Sequence, residues 1–266
     1  MAGALIEGLL GQGCPASSLH VIDVHQPTLE KWQARSISAL AAPDAVLEVH
    51  DVWVLAVKPQ QLSDVVRAAR PFLQPGTLVI SIAAGIALSS LCQWLGQDGR
   101  VWPDVIRAMP NTPALVGQGI TGLAAAPTVS AAKRDLTAQI LSSVGEVVWV
   151  RDDDQVDAVT ALSGSGPAYV FRFIEGLIEG GRALGLSDEQ ARCLAIATVS
   201  GAASLASQSQ EPVSILRERV TSKGGTTAAA LDVMASGQFF ETVVAAMLAA
   251  HKRAGELSAE FGKAQG

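Results

Sequence analysis

The sequence is poor in the residues that build metal sites and disulfide frameworks. It has three cysteines in 266 residues, Cys14, Cys92 and Cys193, an odd number at wide spacing. Such cysteines predict neither a disulfide framework nor a metal cluster, and they fit a reducing cytoplasm. The four histidines are isolated, with no His-x-His or His-Glu-x-x-His spacing. Neither a metal site nor Ser–His catalysis is therefore indicated.

Positive charge and long apolar runs are also scarce. The net charge is −6 and the pI is about 5.2, whereas binding to nucleic acid or an anionic membrane needs a dense patch of Lys and Arg. The apolar N-terminal segment is interrupted by Glu7 and has no basic region before it. We therefore predict neither a signal peptide nor a membrane span. A Walker A phosphate-binding sequence is also lacking.

The first half of the chain alternates apolar runs with helical patterns. Residues 51–57 and 77–82 are nearly continuous apolar runs, which are typical of parallel strands buried on both faces. Shorter strands are predicted at residues 19–23, 105–109, 120–126 and 147–150, and helices at 1–12, 27–39, 60–73, 85–95 and 131–143. This alternation predicts an α/β domain with a parallel sheet over residues 1–151.

After Arg151 the strand pattern ends. Apolar side chains then recur at helical spacing, as in the stripe that runs from Tyr169 through Phe173 to Leu177. Residues 152–266 are therefore predicted to form an all-α domain whose core a second subunit can complete. The acidic residues 152–154 are interpreted as a solvated junction between the two domains.

Three loops carry candidate binding groups in the predicted strand-to-helix and helix-to-helix joints. Residues 56–60, Ala-Val-Lys-Pro-Gln, and residues 107–113, Arg-Ala-Met-Pro-Asn-Thr-Pro, follow strands of the sheet, where ligands of open α/β folds bind. Residues 163–169, Ser-Gly-Ser-Gly-Pro-Ala-Tyr, open a helix without a strand before them, so they do not match a dinucleotide fingerprint. For each loop the alternative is an ordinary structural turn.

A fourth loop, Val-Thr-Ser-Lys-Gly-Gly-Thr-Thr at residues 220–227, combines three hydroxyls with two adjacent glycines between helical patterns. Glycine lets successive backbone N–H groups turn toward one point, and the start of the following helix adds a positive dipole end. Such a loop suits a small carboxylate. The alternative is a plain helix–loop–helix joint with Gly224 near a C-cap and a threonine as N-cap.

A further segment is Ser-Ile-Ala-Ala-Gly at residues 81–85. Together, and in order along the chain, the segments resemble those of pyrroline-5-carboxylate reductases, which make proline from a cyclic imine. The resemblance spans almost the whole chain. It implies a Rossmann-type domain that binds NADPH or NADH, followed by a helical domain that interlocks two subunits of a cytoplasmic homodimer or higher homo-oligomer. It implies that the nicotinamide lies near Val57, Lys58, Pro59, Met109, Asn111 and Thr112.

The resemblance also implies a site for the substrate, 1-pyrroline-5-carboxylate. The backbone of the glycine loop would hold the carboxylate, and the hydroxyl of Thr227 would lie near the ring nitrogen as the catalytic group. The residues implied to bind substrate are Ser163, Gly164, Ser165, Val220, Gly224, Gly225, Thr226 and Thr227. Asp23 ends the second strand of the family's fold, where an acid binds the ribose 2′-hydroxyl of NAD. His25 and Thr28 could still face a 2′-phosphate, which leaves the choice of cofactor open.

The chain departs from the family at its start. Members begin with a central strand and a glycine-rich turn, and Met1 falls where the family has an internal methionine. We therefore expect a gap in the sheet with two unpaired edges and weaker cofactor binding, and we expect the sequence to start at a downstream methionine. Two alternatives stay open: a catalytically impaired oligomeric relative that lacks cofactor binding, and another imine or β-hydroxyacid reductase of the same architecture.

Overall fold

The computed structural model describes residues 1–263, with side chains through residue 261, and divides the chain into two compact units. The α/β unit consists of residues 1–165 together with the chain from Ala250 onward, and the helical unit is residues 166–249. An α/β fold followed by a helical region confirms the predicted fold class. The boundary after residue 151 stays a prediction.

The α/β unit contains seven strands and six helices before the chain enters the helical unit. The strands are β1 (His20–Ile22), β2 (Ser38–Leu40), β3 (Val52–Leu55), β4 (Leu78–Ser81), β5 (Val105–Met109), β6 (Gly119–Ala125) and β7 (Gly145–Trp149). The helices are α1 (Ala2–Gly11), α2 (Gln26–Gln33), α3 (Pro59–Ala69), α4 (Leu88–Leu95), α5 (Ala131–Leu141) and α6 (Asp153–Val159). The core lies around β4, whose four residues are at most 1% exposed.

Two predictions about this unit are wrong. The helix expected over residues 27–39 ends at Gln33, because Ser36 takes a left-handed φ of 60°, and the chain then continues as β2. The sheet is not parallel throughout, since β5 and β6 are antiparallel. A 3-10 segment, Thr112–Val116, joins these two strands. Without a crossover helix between them, the chain reverses direction.

The strands form two sheets rather than one. β1 pairs with β2, and the second sheet has the order β3-β4-β5-β6-β7. The backbone N–H of Asp23 donates to the carbonyl of Leu40, and the N–H of Leu78 donates to the carbonyl of Asp51. The backbone polar groups of alternate residues in β1 and β3 therefore point away from their partner strands. No other strand among residues 1–263 pairs with these edges, which confirms the expected gap. The residues on the two edges are His20, Ile22, Val52 and Val54.

The imidazole of His20 lies at this gap in a desolvated position. Its ring centroid is 5.8 Å from that of His50, and within the described chain neither ring nitrogen of His20 has a hydrogen-bond partner. Burial lowers the pKa of His20, and the neighbouring His50 lowers it further. The folded protein therefore favours the neutral ring.

This burial predicts a loss of stability in acid. Because the folded pKa of His20 lies below the ordinary value of about 6.5, the unfolded chain binds more protons in that window. The free energy of unfolding should show no loss from His20 above pH about 6.5 and should decrease as the pH drops below that value. Thermal unfolding across this range should give a flatter profile for His20→Leu than for the parent protein. The exposed His25→Asn serves as control, and equal slopes for the parent and His20→Leu would contradict the assignment.

The helical unit has few buried side chains of its own. It contains α7 (Gly166–Ala183), α8 (Asp188–Gln208), α9 (Val213–Arg219), α10 (Thr226–Ser236) and the first part of α11 (Phe239–Lys263). Only Ala191 and Ala195 are buried among residues 166–249, while large apolar side chains such as Phe240, at 75% exposure, face outward. Such an apolar surface marks an interaction site.

None of the helices described is by itself long and apolar enough to span a membrane. Only α10 and α11 taken together meet that length and composition, and they are bent by 49° relative to each other.

Candidate active site

The loops after β3 and β5 lie at the same edge of the five-stranded sheet, because β3, β4 and β5 are parallel neighbours. Val57 packs against the core, and the exposed Lys58 occupies the N-cap position of α3, which begins at Pro59. Met109 ends β5, and Thr112, also exposed, follows it. The predicted nicotinamide-binding residues are therefore placed at the carboxyl edge, where open α/β sheets bind their ligands.

Asn111 is the buried member of this group, with 8% of its surface exposed. Its side-chain N–H donates to the carbonyl of Ser163 at 3.1 Å, and its side-chain oxygen accepts the backbone N–H of Ile120 at 3.0 Å. The amide thus links the carboxyl edge of β5 to both the start of β6 and the turn after α6.

That turn carries three of the predicted substrate-binding residues. Thr160–Gly164 is a short π-helical segment, an irregularity that is frequent at functional sites. A Cβ on Gly164 would lie 2.6 Å from Cε of Met109, so the end of the Met109 side chain packs directly on this glycine. The hydroxyl of Ser163 donates to the Val159 carbonyl at 3.1 Å. The structure therefore brings Met109, Asn111, Ser163 and Gly164 together.

An ion-pair cluster that the sequence analysis did not identify holds the other end of α6. The guanidinium of Arg107, 1% exposed, donates to Oδ1 of Asp153 at 2.7 Å and to Oδ1 of Asp157 at 2.6 Å. Both carboxylate oxygens of Asp153 also accept the N–H of Leu88 at the start of α4, at 3.0 and 3.1 Å. The prediction of a solvated junction at residues 152–154 is therefore wrong for Asp153. An arginine inside an apolar strand was the available signal for a buried partner.

Cys92, a buried residue of α4, lies within the electrostatic reach of Asp153. Burial raises the pKa of the Cys92 thiol, and the negative charge of Asp153 raises it further. The thiol is therefore protonated at neutral pH, the unreactive form.

A third group of predicted residues lies at the carboxyl end of β1. Oδ1 of Asp23 accepts the backbone N–H of His25 at 2.9 Å, and Nδ1 of His25 lies 3.0 Å from the hydroxyl of Thr28. This bond engages one carboxylate oxygen of Asp23 and leaves the second available to a ribose hydroxyl. These residues fit the adenosine end of a dinucleotide, as the carboxyl-edge loops fit its nicotinamide end.

The glycine loop belongs to the helical unit and ends in a helix start that has no side-chain cap. Gly225 is the N-cap of α10, and Ala229 N–H is the first to bond back, to the Gly225 carbonyl at 3.2 Å. The N–H groups of Thr226, Thr227 and Ala228 therefore precede the intrahelical ladder and are open to a ligand. Gly224 adopts a φ of +70°, which favours glycine.

The neighbouring residues of the loop leave this helix start accessible. Val220, 63% exposed, follows α9 as its C-cap. Thr227 is partly exposed, and among the described residues its hydroxyl has no hydrogen-bond partner. A partly buried helix N-terminus with an available hydroxyl is suited to bind an anion that carries a hydrogen-bonding nitrogen.

The fold and these sites define a dinucleotide-dependent oxidoreductase built from a Rossmann-type unit and a helical dimerisation unit. The family described as NADP oxidoreductase coenzyme F420-dependent matches residues 1–85, and pyrroline-5-carboxylate reductase dimerisation matches residues 153–257. A pyrroline-5-carboxylate reductase of Pseudomonas aeruginosa is 42% identical over 99% of this chain and 95% of that relative. The chain belongs to the pyrroline-5-carboxylate reductase family.

Other relatives agree over nearly the whole length. The Pisum sativum pyrroline-5-carboxylate reductase is 39% identical over 97% of this chain and 93% of that relative. The solved structure of a Coxiella burnetii pyrroline-5-carboxylate reductase matches with a TM-score of 0.90 at 38% identity, covering 97% and 94% of the two chains. The Plasmodium falciparum enzyme, solved with NADP bound, matches with a TM-score of 0.83 at 28% identity, covering 96% and 94%.

Proposed function

We propose that the protein reduces 1-pyrroline-5-carboxylate to L-proline. When bound, NADPH or NADH would supply a hydride to the carbon of the protonated imine, which turns the C=N bond into a C–N single bond and leaves the ring nitrogen as an amine. The observation that carries the proposal is the uncapped start of α10, where Thr226, Thr227 and Ala228 offer open N–H groups to a substrate carboxylate. Full-length similarity to pyrroline-5-carboxylate reductases supports the same reaction.

The residues of the chain are suited to binding and orientation rather than acid–base chemistry. A protonated cyclic imine is already an electrophile, so its reduction needs proximity, alignment and exclusion of water more than a catalytic histidine or carboxylate pair. We assign the carboxylate to the backbone of Gly224, Gly225, Thr226 and Thr227, with Val220 beside them, and the ring nitrogen to the Thr227 hydroxyl. Ser163, Gly164 and Ser165 are also assigned to substrate binding.

The cofactor is assigned to the carboxyl-edge loops of the α/β unit. Val57, Lys58, Pro59, Met109 and Thr112 are placed at the nicotinamide end, and Asp23 at the adenosine ribose. A carboxylate there favours the 2′-hydroxyl of NADH, whereas the adjacent His25 and Thr28 offer polar groups to the 2′-phosphate of NADPH. Both cofactors are therefore assigned. We also infer a homodimer or larger homo-oligomer in the cytoplasm.

The test is an assay of cofactor oxidation coupled to product analysis. With 1-pyrroline-5-carboxylate, NADPH or NADH absorbance should fall and L-proline should form in equal amount. The analogue 1-pyrroline, which lacks the carboxylate, should react with a KM at least about 10-fold higher, since it leaves the open N–H groups of α10 unpaired. Cofactor oxidation that yields no proline from the first compound would indicate a different imine reductase.

A further inference from the structure

Asn111 lies among the predicted cofactor-binding residues, yet its amide is committed to the protein. The side chain is buried, its N–H donates to the Ser163 carbonyl, and its oxygen accepts the Ile120 N–H. A second N–H of the amide is the only donor left. A residue that contacted the cofactor through its side chain would be expected to direct a free donor or acceptor outward.

A series of contacts fixes α6 and its π-helical turn to β5 and β6. The last of them is the hydrogen bond to the Ser163 carbonyl. Arg107 binds the start of α6 through two carboxylates. In the middle, a Cβ on Gly122 of β6 would lie 2.7 Å from Val159, so the helix packs directly on the strand backbone. At the end, Met109 packs on Gly164 and Asn111 bonds Ser163. The hydrogen bond from Asn111 is a polar contact to the turn itself.

We infer that Asn111 is a positioning residue that acts through the Ser163 carbonyl and holds residues 163–165 in place. The inference rests on the proposed function, in which the residues of this turn bind the substrate. Loss of the bond releases the turn while the cofactor loops at Val57, Lys58 and Pro59 are unchanged. The consequence is weaker use of the imine substrate with unaltered binding of NAD(P)H.

Asn111→Asp breaks this bond selectively. The carboxylate has nearly the same shape, and one oxygen still accepts the Ile120 N–H, but the other presents an acceptor to the Ser163 carbonyl where a donor had been. We expect the KM for 1-pyrroline-5-carboxylate to rise about 10-fold or more, with the Kd for NAD(P)H changed less than about 2-fold. The Kd is measured by fluorescence titration, which does not depend on turnover. Asn111→Ser carries the same test without a buried charge if the Asp variant fails to fold.

Gln118→Glu is the matched control. It adds the same negative charge to the same β5–β6 connection, but Gln118 is exposed and is not part of the bond to Ser163. We expect its KM and Kd to match those of the parent protein. A KM increase equal to that of Asn111→Asp would attribute the effect to charge and overturn the inference.

Hydrogen exchange gives a readout that is independent of the reaction. In the parent protein the Ser165 N–H bonds the Thr160 carbonyl at 2.8 Å across the π-helical turn. The peptide that contains residues 160–166 should exchange faster in Asn111→Asp and be unchanged in Gln118→Glu. Faster exchange in a protein that makes no proline would reject the proposed function but keep the inference. Unchanged exchange would overturn the inference. A Kd for NAD(P)H that weakens in step with the KM would also overturn it and would assign Asn111 to the cofactor.

Discussion

Arg107→Met should lower the free energy of unfolding of the α/β unit by about 3–5 kcal/mol. The substitution keeps an unbranched side chain in β5 but leaves Asp157, whose side chain is 10% exposed, and Asp153 facing each other without a cation. Removing one partner from a buried pair is costly because the charge that remains is desolvated and uncompensated. The loss should therefore exceed that of an ordinary surface ion pair several-fold.

Tryptophan fluorescence during urea unfolding measures this effect in the relevant unit. All five tryptophans, Trp32, Trp53, Trp94, Trp102 and Trp149, lie in the α/β unit. The control is Arg253→Met, which breaks exposed pairs with Glu256 and Glu260 in the same unit and should cost less than about 1 kcal/mol. Adding Asp157→Leu to Arg107→Met should restore part of the lost stability, since it removes the more deeply buried carboxylate. A single variant as stable as the control would show that the cluster does not anchor α6.

Local pattern was sufficient to predict most of the strands. Residues 51–57 and 77–82 are predicted as strands because a strand buried on both faces must be apolar at nearly every position, and they form β3 and β4. β2 is different, since its three residues alternate exposed, buried and exposed after a helical pattern. So short an alternation cannot be separated from the end of a helix without its pairing partner, β1.

Long-range pairing explains what the sequence could not predict about the site. Asp153 belongs to an acidic run that is predicted to be solvated. Only the fold brings it to Arg107, which lies 46 residues earlier in the chain. The same is true of Asn111, which the sequence places only in a loop after a strand. Its bonds to Ser163 and Ile120 depend on where α6 and β6 lie. By contrast, the glycine loop before α10 is a local feature, so its helix start could be predicted directly.

Thr227→Ala should reduce turnover about 10²-fold, while the Kd for NAD(P)H changes little. Thr227 is the second residue of α10, and its hydroxyl has no partner within the described chain, so the substitution breaks no bond of the folded protein. Stability should therefore be nearly unchanged. The loss arises because the hydroxyl is assigned to the ring nitrogen. The double bond of this nitrogen becomes a single bond as the hydride is transferred. Single-turnover oxidation of bound NADPH measures this step directly.

Two further variants separate the hydroxyl from the helix start. Thr227→Ser keeps the hydroxyl and should retain most of the turnover. Thr221→Ala removes a hydroxyl of the same loop that already donates to the Arg217 carbonyl at 2.7 Å, so turnover should stay near that of the parent. If Thr227→Ala retained full turnover but 1-pyrroline still reacted poorly, the carboxylate site at the start of α10 would stand. The assignment of the ring nitrogen to the Thr227 hydroxyl would then be overturned.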